Sequence, residues 1–343
     1  MSKHDSEIII VNITDANVED KPKRKNKDFY SEEMLAKVTQ YKDPKVILKE
    51  LKKEISGQDE ALKKLALVAA QRDAAILVRR DTDNVVKGSK LIIAGDSGCG
   101  KSYAVHKLAE ITDSLLIRID ITQYTSAGYV GLNISELFKK DIPKRMEEFK
   151  KHAFDGRRAI VFIDEIDKIT KAANKDADHQ QAVMNELLVI LDEYESSNDV
   201  NGKMLRDVLF VFAGSFGAYR AKKATENNKA EIGFGGKTKG DLTKSDYKMT
   251  LQDFEKAGVS QELLGRIGHA ASMSTLDKQA LINILNHKKN SPLNDIYSLA
   301  VPMGITKRLK KKDLDFIAEE AIKRGLGARG LRIVAEEIVF GDL

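Results

Sequence analysis

Four apolar runs of strand length mark the chain: Leu91-Ile92-Ile93-Ala94, Leu115 to Asp120, Ala159 to Ile163, and Val208 to Ala213. Stretches with apolar residues at three- and four-residue steps lie before and between them, which is the helical period. One such stretch runs from Lys45 to Glu54. A second carries Leu62, Leu65, Val68 and Ala69, with Gly57 breaking the pattern between the two. Others follow at Tyr103 to Ala109, Ile134 to Lys151, and His179 to Glu195 with Val183, Leu187, Leu188 and Leu191. Strands alternating with helices predict an α/β fold with a parallel sheet flanked by helices. The fully apolar third run fits a strand buried on both faces.

Beyond about residue 273 the pattern is helical only, through Leu281 and Leu285, Leu314 to Ile322, and Leu331 to Ile338. It predicts a small, mainly helical C-terminal domain. The boundaries expected are a flexible basic lead-in over 1–40, a large domain over 41–272 and the small domain over 273–343. Within the lead-in, Ile8 to Val11 has strand character but nothing nearby to pair with. Thr225 to Thr250 is polar and rich in Gly and Lys, and is expected to be a loop.

The loop after the first strand carries the chemistry. Gly95-Asp96-Ser97-Gly98-Cys99-Gly100-Lys101-Ser102 matches G-x-x-x-x-G-K-[ST] at every fixed position, between an apolar run and a helical one. The glycines let backbone N–H groups turn inward onto phosphate oxygens. Lys101 supplies a point charge, the Ser102 hydroxyl suits Mg²⁺, and the next helix adds its positive end. The third run ends in Asp164-Glu165. A strand-end aspartate suits the water shell of Mg²⁺, and Glu165 is placed to orient or deprotonate the attacking water. Ser215 ends the fourth run; it either senses the γ-phosphate or is a plain strand-to-loop serine.

Bulk composition changes little. The 343 residues are 42% hydrophobic and 32% charged, ample for a globular core, and no apolar run approaches bilayer-spanning length. The first residues lack the apolar core of a signal peptide, so a cytoplasmic chain without membrane contact is expected. One cysteine excludes an internal disulfide framework; with six scattered histidines it offers no zinc-ligand spacing, so no zinc is expected. Cys99 inside the P-loop is expected to be a spacer, although its position at a helix N-terminus would favour a thiolate open to oxidation. The net charge of +5 is partly concentrated in Lys21 to Lys27. That run either touches an acidic partner or is a solvated tail. Without interleaved aromatics it makes nucleic acid an unlikely partner.

Several short motifs occur in one order: Ile55-Ser56-Gly57-Gln58, the P-loop, Ala127-Gly128-Tyr129-Val130-Gly131, Phe162 to Lys168, Ile232-Gly233-Phe234-Gly235, Leu264-Gly265-Arg266, and Gly327-Ala328-Arg329-Gly330-Leu331-Arg332. Together they resemble the AAA+ unfoldases of the ClpX and HslU type over about residues 45–338. The resemblance implies an ATP- and Mg²⁺-dependent ATPase that unfolds protein substrates. Ile55 and Ser56 would line the adenine pocket, and Gly95 through Ser102, with Tyr103 beside them, would hold the nucleotide. Ser102 and Asp164 would serve Mg²⁺, Glu165 would activate water and Ser215 would be the first sensor. Arg266 would be an arginine finger entering a neighbouring subunit, which implies a ring, expected to be a homo-hexamer. Arg329 would be the second sensor. Gly128, Tyr129, Val130 and Gly131 would form a pore loop gripping substrate. Ile232, Gly233 and Phe234 would dock on a ClpP-like peptidase, unless this tripeptide tucks back onto the domain.

The chain departs from that pattern in places. The family's cysteine-rich zinc-binding N-terminal domain is expected to be absent. Ser196 to Arg206 replaces the Arg-Lys-His pore-entrance loop with a short, unrelated segment. The small domain is expected to lack the family's closing segment. Two other function classes stay open on the residues alone: a nucleotide-dependent assembly or nucleic-acid remodelling factor, and a regulator that binds a host peptidase through the Ile-Gly-Phe segment.

Overall fold

The computed structural model describes residues 43–81, 86–125, 132–150, 158–170, 177–196, 200–232 and 247–341. Helices α1 (Pro44–Glu54) and α2 (Asp59–Asp81) lead into strand β1 (Lys90–Gly95) and helix α3 (Lys101–Ile111). Strand β2 (Leu115–Asp120) follows, then a helical turn Ile134–Glu136, a π-helical turn Leu137–Asp141 and helix α4 (Ile142–Lys150). Strand β3 (Ala159–Asp164), helices α5 (Ala177–Ser196) and α6 (Val200–Arg206), strand β4 (Val208–Gly214) and helix α7 (Gly217–Ile232) come next. Helices α8 (Leu251–Lys256) and α9 (Gln261–Ile267) precede strand β5 (Gly268–Met273). Four helices close the described chain: α10 (Lys278–Leu285), α11 (Pro292–Ala300), α12 (Lys311–Lys323) and α13 (Ala328–Phe340).

The five long strands form one parallel sheet in the order β2-β3-β4-β1-β5. Their side chains alternate between two cores. Ile92, Val161, Ile163, Phe210 and Phe212 face α5, whose Val183, Leu187 and Ile190 pack against them. Leu91, Ile93, Ile160, Phe162, Leu209 and Val211 face α1, α2 and α3 through Leu51, Leu62, Leu65, Val105 and Leu108. Burial on both faces explains why the sequence shows continuous apolar runs rather than alternation. Each large side chain so buried is worth roughly 1.5–3 kcal/mol of transfer free energy. Helices α10 to α13 keep a separate core, including Leu281, Leu285, Ile296, Ile317, Leu331 and Val334.

One local expectation is corrected and two elements go beyond the sequence reading. Strand β5 was not foreseen, because Gly-His-Ala-Ala-Ser-Met lacks strand character; it is an edge strand that pairs with β1 alone. The polar stretch expected to be a loop from Thr225 continues α7 to Ile232, since no Gly or Pro interrupts it and Lys223 pairs with Glu226 one turn on. The segment from Ser196 to Arg206 holds the short helix α6.

Candidate nucleotide site

The sheet order decides what meets at its carboxyl edge. Strand β4 lies between β1 and β3, so the P-loop, Ser215 and Asp164 end up side by side. This is where open α/β sheets take ligands.

The P-loop leaves β1 with its glycines in conformations that other residues adopt poorly. Gly98 has φ +77° and Gly100 has φ +102°. Gly100 is the N-cap of α3 and brings no side-chain cap, so the first N–H groups of α3 are not claimed by a side chain there. A Cβ at Gly100 would meet nothing within 4 Å, which leaves an open cradle above it. Together these features fit a bound phosphate chain. Lys101 Nζ donates to the carbonyls of Gly95 at 2.5 Å and Asp96 at 3.2 Å, across the mouth of the loop.

Ser102 Oγ donates to Asp164 Oδ2 at 3.4 Å. This hard-oxygen pair fits Mg²⁺, which takes one or two protein oxygens plus phosphate oxygens. Asp164 Oδ1 in turn accepts from the Glu165 backbone N–H at 3.0 Å. Glu165 itself adopts φ +61° and is exposed, so its carboxylate is not consumed by the fold. Next to β4, Asp167 Oδ2 accepts from Phe216 N–H at 3.2 Å. Gly214 permits that approach, since a Cβ there would stand 2.6 Å from Asp167 Oδ1. Asp167 thus fixes the turn that presents Ser215.

The C-terminal helices reach the same loop. The N-terminus of α13 lies on the P-loop, with Ala328 N–H donating to the Gly98 carbonyl at 3.2 Å. Arg329 Nη1 donates to Ser97 Oγ at 2.9 Å. Below them, Gln58 holds three segments together. Its side-chain amide pairs with both backbone groups of Ser274, at 2.8 and 3.1 Å, and donates to the Cys99 carbonyl at 3.4 Å. Ile55 packs into the core beside α1. Ser56 and Gly57 face Thr275, Leu276, Ala280 and Asn283 across a cleft. Tyr103 is partly exposed on α3, and burial pushes its phenol up.

Other expected site residues lie apart or outside. Arg266 makes a two-pronged ion pair with Asp192 of α5 rather than meeting the P-loop of its own chain. That hydrogen-bonded pair holds the Asp192 carboxyl below the usual range. Gly128 to Gly131 lie outside the described residues, but the chain on either side is paired, Tyr124 with Leu132 and Thr125 with Asn133. Ile232 is the last residue of α7, and Gly233 and Phe234 lie outside the described residues.

The alternative of a reactive Cys99 thiolate is corrected. The side chain is 2% exposed, and burial pushes the thiol up, outweighing the opposing pull of Lys101. A helix N-terminus lowers a thiol only where the sulfur stays near water or a charge partner. Arg220 and the structural role of Gln58 were missed. Gln58 gave no sign of its reach to Ser274, 216 positions away. Arg220 is fully buried on α7 and pairs with Asp96 of the P-loop. Neither had a local signal, because their partners are distant in sequence.

Comparison with known proteins agrees with this geometry. Residues 91–218 match the model of the ATPase family associated with various cellular activities (AAA). The chain is similar to the ATP-dependent Clp protease ATP-binding subunit ClpX of Porphyromonas gingivalis, with 29% identity over 305 residues, covering 83% of this chain and 73% of the relative. The ClpX subunit of Borrelia duttonii is 29% identical over 324 residues, covering 86% and 72%. That of Bacteroides thetaiotaomicron is 27% identical over 316 residues, covering 87% and 75%. The chain therefore carries an AAA ATPase domain and is a distant homologue of the ClpX ATP-binding subunits.

Proposed function

We propose that the chain is an ATP-driven protein unfoldase that acts as a cytoplasmic ring of identical subunits and threads polypeptides through its pore. The observation that carries this reading is the seat of α13 on the P-loop. A nucleotide bound there touches both the sheet domain and the C-terminal helices. Its hydrolysis can therefore change how residues 41–272 and 273–343 sit together. Motion of that kind is what a threading machine needs, whereas a simple nucleotide switch does not require it.

ATP with Mg²⁺ supplies the free energy and neutralises charge on the outer phosphates. Ser102 and Asp164 would hold the ion. Lys101 would exchange the Gly95 and Asp96 carbonyls for phosphate oxygens. Glu165 would orient the attacking water and take its proton. Arg329 would report the state of the phosphates to α13. Arg266 would exchange Asp192 for the site of the next subunit, which makes a lone subunit nearly inactive. Tyr129, between glycines, would grip substrate by bulk and swing with the domain to which its loop belongs. Ile232, Gly233 and Phe234 would offer an apolar contact to a ClpP-like peptidase. The relatives are ATP-binding subunits of a Clp protease, which supports looking for such a partner.

The test is unfolding of a fluorescent model protein, with ATP turnover read in parallel and a Clp-type peptidase present or absent. Replacing Tyr129 by Ala should spare ATP turnover and abolish unfolding. Unfolding at the wild-type rate in that variant would discard the pore reading, and a chain that never hydrolyses ATP would discard the whole proposal.

A further inference from the structure

The P-loop of this chain carries a carboxylate of its own. Asp96 follows β1 directly and is 8% exposed. An anion buried under a polyphosphate repels it, and little water is present to screen the repulsion. The fold sets a cation against that carboxylate. Arg220, on α7, is 0% exposed, and its Nη1 stands 3.3 Å from Asp96 Oδ1. Its Nη2 donates to the Met273 carbonyl at 3.4 Å, which fixes the guanidinium between the P-loop and the end of β5.

We propose that Arg220 is the built-in counter-ion of the P-loop, cancelling the charge of Asp96 so that the loop accepts a nucleoside polyphosphate. Arg220 is thus a positioning residue for nucleotide binding. It acts through Asp96 and touches no phosphate itself. The inference rests on the reading of the P-loop as a nucleotide site. It also ties α7, which follows the turn bearing Ser215, to the loop that holds the phosphates.

The alternative is that Arg220 only packs α7 onto the sheet. A charge cycle separates the two. Binding of a fluorescent ATP analogue and of ADP is measured on the full chain, the wild type beside Arg220→Met, Asp96→Asn and the double variant. With Arg220→Met, affinity should fall by about tenfold or more, the size of one charge felt at several ångströms through an effective dielectric constant of about 20. The loss should be larger for the ATP analogue than for ADP, which carries less charge. Asp96→Asn should bind more tightly than wild type, because it removes the anion and leaves the Arg220 charge beside the loop. The double variant should return to within about threefold of wild type, because the two opposite charges are removed together. Double-variant binding as weak as that of Arg220→Met would overturn the inference, as would wild-type binding by Arg220→Met. If Arg220→Met does not fold, Asp96→Asn against the double variant decides. An advantage of Asp96→Asn over the double variant that is larger for the ATP analogue than for ADP supports the counter-ion, and an advantage equal for both nucleotides, or none, overturns it. A wild-type chain that binds neither nucleotide overturns the site reading itself, and the inference with it.

Discussion

Arg329 and Ser97 are 232 positions apart in sequence, yet Nη1 of the one lies 2.9 Å from Oγ of the other. The contact joins the first turn of α13 to the middle of the P-loop. Both residues are exposed, so the bond adds little to the stability of the fold. Its expected consequence is functional: a nucleotide placed in the loop would change what Arg329 touches. Replacing Arg329 by Ala should leave thermal unfolding within about 0.5 kcal/mol of wild type. ATP turnover at saturating nucleotide should fall by roughly tenfold or more, the loss of about 1.4 kcal/mol or more of transition-state stabilisation. Unchanged turnover would remove Arg329 from any sensing role.

The glycines of this junction make a graded prediction. Gly98 has φ +77°, and a Cβ there would lie 2.4 Å from the Leu326 carbonyl oxygen, a backbone atom that cannot rotate away. Gly100 has φ +102°, but its Cβ would meet nothing. Gly98→Ala should therefore combine backbone strain, of order 1–3 kcal/mol, with displacement of α13 from the loop. Gly100→Ala should carry the strain alone. Limited proteolysis at the 273–278 junction should accelerate for Gly98→Ala and stay near wild type for Gly100→Ala. Equal behaviour of the two would mean that α13 does not rest on the loop in solution.

A structural carboxylate ties acid sensitivity to one hydrogen-bonded cluster. Asp253 accepts from the Tyr219 and Tyr247 hydroxyls, each at 2.9 Å, and from the Thr250 backbone N–H and hydroxyl. Burial alone would raise its pKa, but the bonds from Thr250 and the two tyrosines outweigh it and hold the carboxyl below its usual value. The same contact, with burial, pushes the Tyr247 phenol up to about 12. A lowered carboxylate pKa contributes stability above the unfolded value, near pH 4, and loses it as pH falls through the folded value. Asp253→Asn should cost roughly 1.5–3 kcal/mol at neutral pH, as expected for bonds to a charged acceptor. The loss should shrink below about pH 4. A loss that is constant down to pH 3 would show that folding does not lower the pKa of Asp253.

Much of this architecture was legible from the residues. Runs such as Ala159 to Ile163 and the flanked P-loop fix a parallel α/β sheet and its ligand-binding edge, because burial on both faces and a phosphate cradle each demand a narrow set of residues. Strand β5 was not legible. It borrows its strand character from pairing with β1, as edge strands with one partner can. The direction of the Cys99 side chain was hidden for another reason: sequence shows a helix start, but not which way the sulfur points. Arg220 and Gln58 were invisible because their partners, Asp96 and Ser274, come to them only through the completed sheet.

Glu165 and Arg266 give the sharpest test, because they should fail separately and succeed together. Glu165 sits at the carboxyl edge beside Asp164, while Arg266 is held on α9 by Asp192. If each active site takes Glu165 from one subunit and Arg266 from its neighbour, neither variant alone can turn over ATP. Glu165→Gln should bind nucleotide normally and lose about 10²–10⁴ in turnover, as for a general base. Arg266→Ala should lose about 10³–10⁵, as for an arginine finger. Asp192→Asn should leave turnover intact or raise it, since it frees the guanidinium. Equimolar mixing of the two inactive variants places intact Glu165 opposite intact Arg266 at a fraction of the interfaces. Turnover should then recover to a measurable share of wild type and depend on protein concentration. Recovery cannot occur if both residues serve one subunit's own site, so a mixture as inactive as its components would confine Arg266 to its ion pair with Asp192.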